Sequence, residues 1–178
     1  MRTLSTLLVL SLAIMAGTPP TEKEFLKNLN KFCGKSFAGK AVFPEGDKDP
    51  FKGQALKIHF AKCTDTEVRI PFQVGEDKSR TWVLTLDENG LLLKHDHRHE
   101  DGTPDEITMY GGYARQGGSA FEQSFPADAH TANLIPAAST NEWSLVLNPD
   151  KKILSYILKR DGQLRFHADF DLSKPILN

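Results

Sequence analysis

Three histidines stand at alternate positions within residues 91–100, and this is the most unusual chemical pattern in the chain. On a β-strand, residues two apart point to the same face, so His95, His97 and His99 would share one face. Leu93 lies on that face too. The opposite face carries Leu92, Lys94, Asp96, Arg98 and Glu100. We therefore expect the histidines to face the interior and the charged face to meet water.

A hairpin turn just before this strand supports the same orientation. Asn89–Gly90 is a strong two-residue turn signal, because both residue types tolerate positive φ. With that turn, Trp82 would lie opposite His97 and Arg80 opposite His99. An apolar face would then meet the histidine face, as a consistent register requires.

The following strand, at about residues 106–112, extends the candidate site. A four-residue loop at 101–104 would set Tyr110 opposite His95. One hypothesis is that these side chains line a cavity for a small molecule, since such pockets combine apolar walls with a few polar groups. The predicted ligand-binding residues are Arg80, Trp82, His95, His97, His99 and Tyr110.

Two other hypotheses remain open for the histidines. His95, His97 and His99 could bind zinc or another transition metal, as a carrier or as a metal-dependent enzyme, because alternate imidazoles can aim at one ion. They could instead be structural hydrogen-bonding groups at a barrel end, in a structural or interaction protein with a filled barrel. No cofactor follows from the sequence, and no nucleophile elbow is present, so we expect a binding protein rather than an enzyme.

The elements that must position these residues are mostly strands. Apolar residues recur at helical spacing over residues 21–32, which predicts one amino-terminal helix. After Gly34 the period changes to two, in short runs separated by turns. We expect an antiparallel meander barrel of about nine or ten strands, with a two-sheet sandwich as the alternative.

Two further segments carry expectations of their own. With Asp161–Gly162 as the last turn, Ile157 would face Phe166, and His167 would lie on the outer face opposite Tyr156. Residues 126–141 interrupt the strand pattern and predict a long loop with a short helical turn, either a surface excursion or a lid over a pocket.

The amino terminus predicts export. Arg2 precedes an apolar run from Leu4 to Met15, followed by small residues, which is the order of a signal peptide covering residues 1–17. Residues 18–178 would form a single domain, secreted or periplasmic, with no membrane anchor after cleavage. The 22 Lys and Arg residues nearly balance 23 Asp and Glu residues, and without a basic stripe we expect no nucleic-acid binding.

The two cysteines, Cys33 and Cys63, are expected to form a disulfide in such a compartment. If residues 36–43 and 55–62 pair as antiparallel strands, the cysteines lie at neighbouring strand ends. Two separate buried thiols are the alternative.

The layout of the chain resembles the calycin group: lipocalins, fatty-acid-binding proteins and nitrobindin-like barrels. A short helix leads through Gly34, Phe37 and Gly39 into the first strand and a β-meander, with Phe37 where lipocalins usually carry Trp. The resemblance implies a barrel whose internal cavity binds a small, largely apolar molecule.

Overall fold

The computed structural model describes residues 20–177, which fold into an antiparallel, nearly closed barrel with one amino-terminal helix. The predicted fold class is confirmed, and the sandwich alternative is not found. The predicted signal peptide lies outside the described residues. None of the helices within 20–177 is long and apolar enough to span a membrane.

Eleven strands and two α-helices make up the described chain. The helices are α1 (Pro20–Asn30) and α2 (Ala129–Leu134). The strands are β1 (Ser36–Phe43), β2 (Leu56–His59), β3 (Lys62–Cys63), β4 (Glu67–Val74), β5 (Asp77–Asp87), β6 (Gly90–His97), β7 (Tyr110–Tyr113), β8 (Glu122–Pro126), β9 (Asn141–Asn148), β10 (Ile153–Arg160) and β11 (Gln163–Ile176).

Ten strands form one continuous path in the order β7-β6-β5-β4-β2-β1-β11-β10-β9-β8, and β3 pairs beside it with β4. The barrel seam therefore lies between β7 and β8. The backbone N–H of Asp128 and the hydroxyl of Thr131 both donate to the carbonyl of Gly111 across this seam. At Gly112 a Cβ would clash with the carbonyl of Pro126, so glycine lets the two edges approach closely.

Residues 126–141 form the predicted long segment with a short helix, α2. Thr131 is fully buried against β7, and α2 packs on that strand. The segment contributes no residue to the cavity described below. It packs along the seam between β7 and β8, so the structure gives no support to the lid interpretation.

Helix α1 closes one end of the barrel. Phe25, Leu26 and Leu29 are at most 1% exposed, and the helix packs against β4, β5, β6 and β8. Its amphipathic spacing explains this placement, because one apolar stripe must be buried. The predicted disulfide, Cys33–Cys63, is present and ties the chain after α1 to β3.

The β5–β6 hairpin differs from its predicted register by two residues. Asp87 pairs with Gly90, so Trp82 lies opposite His95 and Arg80 opposite His97. The turn is made by Glu88 and Asn89: the Asp87 carboxylate accepts a hydrogen bond from the Asn89 backbone at 2.7 Å. A shift of two residues preserves which face points inward.

The β10–β11 hairpin departs by one residue, which changes the face. Tyr156 pairs with Ala168 and Ile157 with His167, and a β-bulge follows at Leu158. His167 lies on the outer face as predicted, but Tyr156 points into the barrel. The expectation that Ile157 faces Phe166 is wrong.

Candidate functional site

The barrel end opposite α1 contains a cavity of about 290 Å³. It lies where β5 begins and β6 ends. Its walls come from β4, β5, β6, β7, β10 and β11 and from the loop between β1 and β2. Six aromatic side chains dominate the walls: Phe51, Phe72, Trp82, Tyr110, Tyr156 and Phe166. Trp82 is 2% exposed and stacks on Tyr156 at 4.5 Å between ring centroids.

Five of the six predicted site residues line this one cavity. They are Arg80, Trp82, His95, His97 and Tyr110. Tyr110 lies opposite His95, as predicted, and the two rings stack with centroids 4.6 Å apart.

The sixth residue, His99, lies elsewhere. Strand β6 ends at His97, and the chain then turns outward, with the Gly102 backbone donating to the His99 carbonyl. The side chain of His99 is exposed in a separate polar groove that includes Asp77 and Glu100. The expectation that His99 faces the interior is wrong, because the strand ends before it.

The charged face of β6 also differs from expectation. Asp96 is only 5% exposed and accepts two hydrogen bonds at 3.1 Å from Arg98. Lys94 is ion-paired with Asp128 beside the seam. These residues lie on the outer face and their charges are paired, with Asp96 and Lys94 largely covered and Arg98 half exposed.

His95 is held by hydrogen bonds at both ring nitrogens. Its Nδ1 lies 3.1 Å from the Tyr110 carbonyl, which can only accept, so Nδ1 carries the proton. Its Nε2 lies 2.8 Å from the Tyr156 hydroxyl and accepts from it. Burial lowers the pKa of His95 to about 3, so the ring is neutral at physiological pH.

His97 and Tyr110 form a second polar pair nearer the mouth. The Tyr110 hydroxyl lies 3.0 Å from His97 Nε2. Burial, followed by the nearby positive charge of Arg80, lowers the pKa of His97, and burial raises the pKa of Tyr110 to about 12. Both groups are thus neutral hydrogen-bonding groups in an otherwise apolar wall.

The described residues do not bring the three histidines to one metal position. The nitrogens of His95 are both engaged, and His99 is outside the cavity. No group of three or more His, Cys, Asp or Glu side chains in the described part of the chain could hold an ion.

Several cavity residues were missed by the sequence argument. Tyr156 was assigned to the outer face. The polar residues Ser155 and Lys159 stand at the alternate positions, which indicates that those positions face outward and Tyr156 inward. Phe51 comes from the loop between β1 and β2 and packs on Phe166 at 5.3 Å. No period marks a loop residue, so only its apolar character in a polar segment could have drawn attention.

Comparison with known proteins gives one partial likeness. The chain is 36% identical over 88 residues to a trans-2-enoyl-CoA reductase (NADH) of Treponema denticola, a match covering 48% of this chain and 20% of that protein. The chain thus spans about a fifth of the length of the curated protein it matches. No family model matches the chain, and no solved structure does either.

Proposed function

We propose that this protein binds a small, largely apolar molecule in the cavity opposite α1. The observation that carries the proposal is the contrast between the two ends of the barrel. The α1 end is filled by side chains such as Phe37 and Phe60, both 0% exposed. The other end keeps a partly open cavity of about 290 Å³, which a small molecule can enter from solvent.

The chemistry of the wall supports the same proposal. Six of the lining residues are aromatic, and the neutral pair of His97 and Tyr110 supplies a few fixed hydrogen-bonding groups. Small-molecule sites have this composition. A filled structural barrel would not need it.

The metal-binding alternative gains no comparable support. A ligand to zinc must offer a free lone pair, whereas His95 uses Nε2 to accept from Tyr156. The match to the Treponema denticola protein does not support a reductase activity, because it covers only a fifth of that protein.

We also propose that the protein works outside the cytoplasm. The Cys33–Cys63 disulfide supports this location, since such bonds persist mainly in oxidising compartments.

A neutral fluorescent probe tests the binding proposal. N-phenylnaphthylamine emits strongly only in apolar surroundings, so we expect saturable enhancement on titration with the purified protein. Leu158→Trp should abolish the enhancement, because Leu158 lines the cavity and the larger ring would fill it.

The matched control is Ile157→Trp on the same strand. Ile157 pairs with His167 on the outer face and should leave the titration unchanged. Circular dichroism confirms that both variants fold. Absence of enhancement in the unaltered protein, or equal loss in both variants, would contradict the proposal.

A further inference from the structure

Two arginines line the cavity, and they come from different sides of the barrel. Arg80 begins the inward-facing row of β5 that continues to Trp82. Its guanidinium is ion-paired with Asp77 and lies 5.9 Å from the centre of the Phe51 ring. One carboxylate occupies only part of a guanidinium, which carries five N–H donors, so Arg80 can still bind a second acceptor.

Arg165 reaches the cavity because of the β-bulge in the last hairpin. Leu158 pairs with Phe166, but the next residue, Lys159, pairs with Leu164. Arg165 is therefore the extra residue of the bulge. Regular alternation would send Arg165 and Phe166 to opposite faces, yet both line the cavity. Bulges commonly redirect a side chain at the rim of a barrel in this way.

The charge of the lining is one-sided. Arg80 and Arg165 are its cationic groups, and no carboxylate is found among the described residues that line the cavity. An apolar pocket lined by two arginines is suited to a molecule with an apolar body and one anionic group, because guanidinium binds carboxylate with good geometry.

We propose that the ligand is a small aromatic carboxylate, with its ring among the aromatic walls and its carboxylate bound by Arg80 and Arg165. The inference rests on the proposed function and names the ligand class for the same cavity. Aromatic walls favour an aromatic body through edge and stacking contacts. The volume of about 290 Å³ limits that body to a small one.

A matched pair of compounds tests the proposal: naphthoate and its neutral amide, naphthamide, each displacing N-phenylnaphthylamine at neutral pH. We expect naphthoate to bind about tenfold more tightly than naphthamide, since a charge-assisted hydrogen bond at a partly exposed site has that effect. Arg165→Gln should lower the affinity for naphthoate about tenfold and reduce the difference between the two compounds accordingly. Arg80→Gln should reduce this difference in the same way.

Lys159→Gln is the control that removes a nearby positive charge without removing a residue of the cavity. Lys159 neighbours the bulge but lies in a different, polar groove, so its loss should leave both compounds unaffected. Equal affinities for the two compounds, or an equal effect of the Lys159 and Arg165 variants, would overturn the inference while leaving the cavity a binding site. No probe binding by the unaltered protein would overturn both proposals.

Discussion

At the scale of single residues, His95 organises the wall of the cavity. It contacts Tyr110 through its ring face and through Nδ1, and it accepts from Tyr156 through Nε2. A protonated ring would have to give up the bond from Tyr156 and bury a charge, which is costly in an apolar environment. The neutral ring therefore fixes two strands, β7 and β10, around one side of the site.

The first prediction concerns the protonation of His95. Its pKa lies at about 3 in the folded protein, against 6.5 ordinarily, so between these values only the unfolded chain binds this proton. The free energy of unfolding should fall as the pH falls through this window, by up to about 1.4 kcal/mol per pH unit for one group. Nitrogen-detected NMR should show the neutral Nδ1–H form down to about pH 4.

Chemical denaturation across the same pH range measures the free energy of unfolding, and a His95 variant is the control. The His95→Gln variant should lose part of this pH dependence, because glutamine does not titrate. A His95 resonance that titrates near its ordinary value would contradict the account.

At the scale of elements, the contact between α1 and the β5–β6 hairpin closes the filled end. The Glu22 carboxylate accepts a hydrogen bond from the Leu91 backbone at 2.5 Å, and this contact is buried. Burial raises the pKa of Glu22, and the hydrogen bond from Leu91 partly counteracts this rise. Gly90 permits the approach, because a Cβ there would lie 2.9 Å from the carboxylate oxygen.

The second prediction follows from this contact. Glu22→Ala should lower the free energy of unfolding by about 1–3 kcal/mol, because it leaves the buried Leu91 N–H without an acceptor. Glu24→Ala is the matched control on the same helix, since Glu24 has a side chain 53% exposed and a surface ion pair with Lys27. It should change stability by less than about 0.5 kcal/mol. Urea denaturation that finds equal effects would contradict the role of Glu22.

The strands also show which features of the fold the sequence pattern can predict and which it cannot. Period-two alternation predicted the strands. The error in the β5–β6 register left every side chain on its correct face, because the shift is two residues. The one-residue error in the β10–β11 register placed Tyr156 on the wrong face. Over residues 153–158 apolar side chains occur on both faces, and Ser155 is the one polar residue that marks the outer face. The bulge at Arg165 depends on packing that no short-range signal encodes. His99 was misplaced because alternation does not mark where a strand ends.

At the scale of the whole molecule, the barrel combines an end filled by side chains with an end that keeps a cavity of about 290 Å³. Helix α1 and the disulfide fix the filled end, and α2 fastens the seam between β7 and β8. A second apolar groove, lined by residues such as Phe121 and Leu172, lies beside α1 and is the competing place for an apolar ligand.

The most direct test of the account is to locate a bound molecule by isotope-filtered NMR. Naphthamide, the neutral compound, should give intermolecular nuclear Overhauser effects to Trp82, Tyr110 and Phe166 in the cavity. These contacts should disappear in Leu158→Trp and persist in Ile157→Trp. Contacts only to Phe121 and Leu172 beside α1 would contradict the claim that the barrel cavity is the binding site.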